Sequence, residues 1–290
     1  MNASKSPCLI AVDGGGTSCR VAVLCDGVRT EISTGAANVT TDWNKAVTTI
    51  DGALTAVAAK VGIPLNRLRS CPAYLGLAGV MNKQDGRAVA AALSLTNAVV
   101  ADDRFATITG ALGAGDGVVA GIGTGSFLGR QHGGRVHLIG GYGLGLGDDA
   151  SGAWLGRALL ARVLHVVDGL AGASPLTTQI LAGFDGETNT LSAFSTTAAP
   201  RDYGRFAPDI VRAARNGDAI ATELMQSGAA YIMRGLRALG WRRGERLCLT
   251  GGVGPHYQPY LAPEMADCIA PPKGSGLDGA LQLAARITTH

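Results

Sequence analysis

The chain has 290 residues, 47% hydrophobic and 16% charged, enough apolar material for two compact domains with buried cores. A net charge of +3 is too small to mark a polyanionic partner, and 5% aromatic content gives no stacking platform for single strands, which excludes nucleic-acid binding as a function class. The opening MNASKSP lacks the apolar core of a signal peptide and no apolar run approaches the ~18 residues of a membrane span, so a cytoplasmic chain without membrane contact is expected.

Residues 10–17 read IAVDGGGT, an apolar strand running into a carboxylate, three glycines and a threonine, and the alternating strand RVAVLCDG follows. Asp26-Gly27 supplies the next hairpin turn before VRTEI, so the chain opens as an antiparallel meander. From Asp42 to Val61, Trp43, Ala46, Val47, Ile50, Leu54, Val57 and Ala58 fall at helical spacing, and Gly62 and Pro64 end that helix. PAYLGLAGV reads as a buried strand, GRAVAAALSL as a short helix and AVVA as another strand. The second half repeats the order: ATITGALGAG as a helix, GVVAGIGTGSFLGRQ and RVHLIGG as strands, then SGAWLGRALLARVLHVV as a long helix. Two more helices, a last strand RLCLTGG and a closing helix LDGALQLAARI, capped by Asp278, complete the chain. The domains expected are 1–105 and 106–290, with the last helix able to pack back on the first. The six cysteines (Cys8, Cys19, Cys25, Cys71, Cys248, Cys268) show no CxxC and no histidine at zinc spacing, and are expected to be reduced thiols.

Chemistry concentrates in the glycine turns. In Asp13, Gly14, Gly15, Gly16 and Thr17, glycines let backbone amides approach phosphate oxygens, the threonine hydroxyl can donate to one, and the carboxylate can hold Mg²⁺ through water. No Gly-Lys-Ser/Thr is present, and a strand rather than a helix follows the glycines, which excludes a P-loop and a dinucleotide fingerprint. The second hairpin, GIGTGS from Gly121 to Ser126, offers the same chemistry in the same place of the second half. A strand, glycine turn and strand built twice points to a nucleotide held between two related domains.

AVVADDRFA delivers Asp102 and Asp103 to the C-terminal end of a strand, where one can cap the next helix and one can accept a proton from an attacking hydroxyl. GGYGLGLGDDASGAWLG sets Tyr142, Asp148, Asp149 and Ser151 in a polar loop suited to a ligand with several hydroxyls. LTGGVG is a strand and glycine turn able to pass beneath an adenine.

In this order, DGGGT, DDR, GTGS, GGYGxxLGDDxSG and LTGGV resemble the N-acetylglucosamine kinase and glucosamine kinase branch of the superfamily that unites acetate and sugar kinases, heat-shock ATPases and actin. The resemblance runs over nearly the whole chain. It implies an α/β fold of two ribonuclease-H-like domains, the actin-like ATPase fold, with mixed sheets flanked by helices and a nucleotide cleft between them. It implies transfer of phosphate from ATP, with Mg²⁺, to the 6-hydroxyl of an amino sugar, N-acetylglucosamine before glucosamine, by a homodimer.

Carried over by position, Asp13 would sit near the metal, and Gly15, Gly16 and Thr17 would bind the outer phosphates with Gly123 and Thr124 opposing them. Asp103 would be the catalytic base, with Asp102 in reserve. Asn38, Gly125, Tyr142 and Asp148 match sugar contacts, and Gly251 and Gly252 would lie under the adenosine. The chain departs from the family at Tyr142, where a Trp is usual, at Asp149 for Glu, at Ala150 for Gly, and at Arg104 for Ala after the base. These changes bear on the choice of sugar more than on the reaction. The competing readings are the ATPase activator of 2-hydroxyacyl-CoA dehydratases, whose cluster-binding cysteines have no counterpart between Cys71 and Cys248, and a non-catalytic nucleotide sensor.

Overall fold

A computed structural model of the protein describes residues 8–16 and 18–287. The chain forms two compact units, one made of residues up to 115 together with those from 272 onward, the other of residues 116–271. The division therefore falls at 115/116 rather than near 105, and the first unit is discontinuous in sequence. The helix read as opening the second half belongs to the first unit, because its apolar face packs there.

In the first unit β1 (Leu9–Gly14), β2 (Cys19–Cys25) and β3 (Val28–Thr34) form the expected meander. They are followed by α1 (Trp43–Val61), the short α2 (Leu65–Leu68), β4 (Ala73–Leu77), α3 (Lys83–Ala92), β5 (Ala98–Ala101) and α4 (Asp103–Leu112). The sheet order is β3-β2-β1-β4-β5, with β4 parallel to both β1 and β5. Alternation sorts the two faces. Ile10, Val12, Val21 and Val23 bury against Ile50, Leu54 and Val57 of α1, whereas Ala11, Ala22 and Tyr74 meet Ala106 of α4.

The expectation of six reduced cysteines fails at one pair: Cys8 and Cys25 form a disulfide, with their Cα atoms 4.4 Å apart. The β1–β2 register places Leu9 opposite Leu24, so Cys8 and Cys25 face each other in the next rung, a relation invisible in linear spacing. Cys19, Cys71, Cys248 and Cys268 are free.

The second unit repeats the meander with β6 (Gly117–Ile122), β7 (Ser126–His132) and β8 (Arg135–Gly140). Then come α5 (Gly152–Val167), α6 (Pro175–Ala182), α7 (Thr188–Thr197), α8 (Pro200–Gly204), α9 (Ala207–Arg215) and α10 (Ala219–Ala238). The strand β9 (Leu247–Thr250) and the short α11 (Pro263–Ala266) end it. The order β8-β7-β6-β9, with β9 parallel to β6, matches the first sheet without its fifth strand. The two mixed sheets flanked by helices are those expected of the actin-like fold. The helices α6 to α8 had no sequence signal as strong as the motifs. They are held by an aromatic cluster in which Phe194 lies 5.5 Å from both Phe184 and Tyr203 between ring centroids, and Arg205 stacks over Phe194 and Phe206.

The chain then returns to the first unit through α12 (Gly276–Ala284). Its N-cap is Ser275 rather than the expected Asp278, which sits three residues on and closes a capping box by accepting from the Ser275 backbone N–H at 2.6 Å. Leu277 and Ala280 of α12 complete the face formed by Ala11, Ala22 and Ala106. Among the described residues no helix is long and apolar enough to cross a membrane.

Candidate active site

The first unit gathers its acidic groups at one end of the parallel strands. Asp13 near the end of β1 pairs in register with Gly76 of β4, and Gly76 with Ala101 of β5, so Asp102 and Asp103 leave the sheet beside Asp13. Gly76 permits this: a Cβ there would stand 3.2 Å from the Asp103 Cα and 3.1 Å from the Ala106 Cβ. The sequence reading missed Gly76, whose role is steric and carries no motif.

Asp102 and Asp103 have separate fates. Asp102 caps α4, accepting from the Arg104 backbone N–H at 2.9 Å, and takes the Arg104 guanidinium at 2.7 and 2.6 Å. Asp103 begins the helix and is half-buried; desolvation first, then the charges of Asp102 and Asp13, hold its carboxyl well above the usual range, with Arg104 opposing. A carboxylate tuned upward in this way is suited to take a proton near neutral pH.

Asp13 accepts from Arg20 Nη2 at 2.5 Å and lies over the start of α12, where a Cβ on Gly276 would be 3.0 Å from its Oδ2. Among the described residues no three His, Cys, Asp or Glu side chains are grouped to hold a metal by themselves. Mg²⁺ keeps several waters and takes its remaining oxygens from phosphate and one or two carboxylates, and Asp13 fits that donor set.

The glycine turn is closed by the Gly15 N–H donating to Ser18 O at 2.9 Å, and Gly16 has open space around it. Thr17 lies outside the described residues. The loop bearing Asn38 is tied to this turn: Ala37 N–H donates to Gly15 O at 3.1 Å, and Val39 N–H to Ala78 O at 3.2 Å. Asn38 Oδ1 accepts from the backbone N–H groups of Thr40 and Thr41, which directs its amide nitrogen to other work. A cavity of about 320 Å³ opens beside it, lined by Thr40, Trp43, Gly79 and Met81 among others.

The second unit builds its own turn. Gly123 N–H donates to Gly125 O at 2.9 Å, and the first N–H groups of α5, from Gly152 and Ala153, donate to the carbonyls of Gly123 and Thr124 at 2.8 and 3.1 Å. Gly125 is pressed against Asp148, whose Oδ2 would be 2.9 Å from an added Cβ, and Ser126 Oγ donates to Asp149 O at 2.7 Å. Asp148 and Ala150 both have positive φ, 57° and 67°, so the loop before α5 is a strained turn held by the Tyr257 hydroxyl donating to Ala150 O. Tyr142, in contrast, is 75% exposed. The half-buried Tyr231 of α10 was not singled out by sequence; its hydroxyl lies under Gly140, and burial followed by the charges of Asp149 and Asp148 raises its pKa.

After β9, Gly251 takes φ 80° with no room for a Cβ, which would fall 2.3 Å from Ile122 O. The turn therefore folds tightly over the end of β6, and Val253 N–H donates to Ile122 O. Gly123, Thr124 and Gly252 line a cavity of about 690 Å³ in this unit, large enough for a nucleoside.

Comparison with known proteins places the chain in a family. A sequence model of the BadF/BadG/BcrA/BcrD ATPase family matches residues 10–271. The glucosamine kinase GspK of Vibrio cholerae is 31% identical over 280 residues, 96% of this chain and 95% of its own. The crystal structure of an inferred N-acetylglucosamine kinase from Chromobacterium violaceum superposes with a TM-score of 0.84 at 30% identity, covering 96% of this chain and 99% of that one. A Porphyromonas gingivalis protein of the same inferred activity shares the fold, with a TM-score of 0.68 at 20% identity over 97% and 100% of the two chains.

Proposed function

The chain belongs to the BadF/BadG/BcrA/BcrD ATPase family, and from that premise we propose that it is an ATP-dependent kinase acting on the 6-hydroxyl of an amino sugar, N-acetylglucosamine in the first place. Glucosamine is the second reading, favoured by the relative from Vibrio cholerae. The observation that carries the reaction is the division of labour between neighbouring carboxylates: Arg104 and the helix cap occupy Asp102, while Asp103, half-buried beside Asp13, has a raised pKa.

In this reading Asp103 accepts the proton of the sugar hydroxyl as its oxygen attacks the γ-phosphorus, and the bond to the β-phosphate oxygen breaks to release ADP. The phosphates are assigned to the turn of Gly15, Gly16 and Thr17 and to the turn of Gly123 and Thr124; the Gly15 and Gly123 N–H groups close these turns, which leaves Gly16, Thr124 and the threonine hydroxyls to donate. Gly251 and Gly252 support the adenosine, with Gly252 lining the cavity of the second unit. Asn38, Gly125, Tyr142 and Asp148 bind the sugar. Asp13 holds Mg²⁺, which supplies charge neutralisation on the phosphates. A homodimer and a cytoplasmic location are part of the same proposal.

The test is coupled ADP release with Mg-ATP against N-acetylglucosamine, glucosamine, glucose and no sugar. Turnover with one amino sugar is expected and names the acceptor. Hydrolysis independent of sugar would favour the ATPase activator, and nucleotide binding without turnover the sensor.

A further inference from the structure

The 690 Å³ cavity of the second unit carries side chains that no motif announced. Pro208, Val211 and Val253 give it apolar walls, and Arg212, Arg215 and His256 are its ionisable lining. Two of these three are accounted for without a ligand. Arg212 is ion-paired with Asp209 one turn earlier on α9. His256 is held neutral, because burial and then the charge of Arg215 lower its pKa.

Arg215 is different. Among the described residues it has no carboxylate within ion-pair distance, and its Nη2 stands 2.9 Å from His256 Nδ1. A guanidinium can only donate, so Nδ1 accepts and the imidazole proton sits on Nε2. This hydrogen bond fixes one edge of the exposed guanidinium and leaves its flat face beside the apolar walls of the cavity. An arginine in the last turn of a helix also suits the helix dipole, but Arg212 already serves there, and the dipole requires no histidine clamp.

We propose that Arg215 binds the base end of the nucleotide, laying its guanidinium plane against the purine, and that His256 is the positioning residue that sets this plane. Apolar walls suit a planar base, and a planar cation adds stacking that an ammonium cannot match. The phosphates are assigned to a different part of the lining, Gly123 and Thr124. The inference rests on the kinase reading only in taking the nucleotide to be ATP.

The experiment is calorimetric titration of the full chain, without sugar, using ADP and inorganic tripolyphosphate as separate probes, together with KM and kcat for ATP. In R215A the Kd for ADP is expected to weaken about tenfold and KM for ATP to rise in step, while tripolyphosphate affinity and kcat stay within about twofold. R215K should not restore ADP affinity. H256A should lose about threefold and H256N recover it, since the amide oxygen can accept from Arg215. Both side chains lie at the edge of the fold, and an unchanged melting temperature shows that the variants are folded.

Unaltered ADP affinity in R215A overturns the proposal. So does an equal loss for tripolyphosphate, or rescue by R215K, either of which makes Arg215 a phosphate-binding charge. Because ADP binding is read without sugar, a wild type that binds ADP yet phosphorylates no sugar fails the kinase reading and leaves the Arg215 result standing.

Discussion

Gly110 of α4 and Gly279 of α12 pack backbone against backbone. A Cβ on Gly110 would fall 1.9 Å from Ser275 O, and one on Gly279 would fall 1.9 Å from Ala106 O. No side chain fits at either position, so the helix that begins with Asp103 is seated on α12 in direct backbone contact. The same α12 carries Gly276 against Asp13, so one helix packs against both Asp13 and the helix that Asp103 begins.

Gly279→Ala is therefore expected to destabilise the first unit by about 3 kcal/mol, the upper range for overpacking, because backbone rather than a flexible side chain must yield. Urea unfolding followed by tryptophan fluorescence checks this, Trp43 lying in that unit. Stability within 0.5 kcal/mol of wild type, roughly the scatter of surface changes, would contradict the close seating.

Asp103→Asn should reduce kcat by at least about 100-fold while ADP affinity stays near wild type. In the wild type, kcat should fall as pH drops below about 7, where Asp103 becomes protonated and can no longer accept the proton. The stability effect has the opposite sense. A folded-state pKa raised above the ordinary 3.8 makes its contribution fully present below that value and lost as pH rises through about 7. The variant should therefore melt higher than wild type at pH 8 and alike at pH 4. Equal melting at both would count against a raised Asp103 pKa.

Asp102→Ala removes a helix cap and one carboxylate partner of Arg104, at a cost of about 1 kcal/mol in stability. Its kcat should stay within about tenfold of wild type, since the side chain does no proton transfer. Turnover lost as completely as in the Asp103 variant would move the base to Asp102.

Reducing the Cys8–Cys25 link, which closes a loop with a sequence separation of 17, should lower stability by about 3 kcal/mol by the chain-entropy relation. Thermal scans with and without reductant, repeated on Cys25→Ser, give the comparison. A reductant-dependent shift that persists in the variant would have another source.

The glycine turns were legible in the sequence because each need is local: backbone must approach a ligand or double back, and only glycine allows it. Asp13, Asp102 and Asp103 were legible because a strand end announces itself within a few residues. What escaped depends on distant partners. Cys8 meets Cys25 through strand register, Arg215 meets His256 across 41 positions, and Gly110 needs Gly279 only because α12 returns after the whole second unit. Ser275 was passed over for Asp278 because both are good caps, and the capping box uses them together.

The return of α12 has a consequence for how the protein is made. As the chain leaves the ribosome, α4 emerges with Gly110 facing nothing, and residues 116–271 must all be synthesised before its partner exists. Domains ordinarily settle in the order of their synthesis. Here the first unit waits for the second, so Asp103 and Asp13 are packed against one helix only after residues 116–271 have been translated. A nascent chain stalled in the second unit carries both acidic residues and the glycine turn, yet lacks the support that holds them in place.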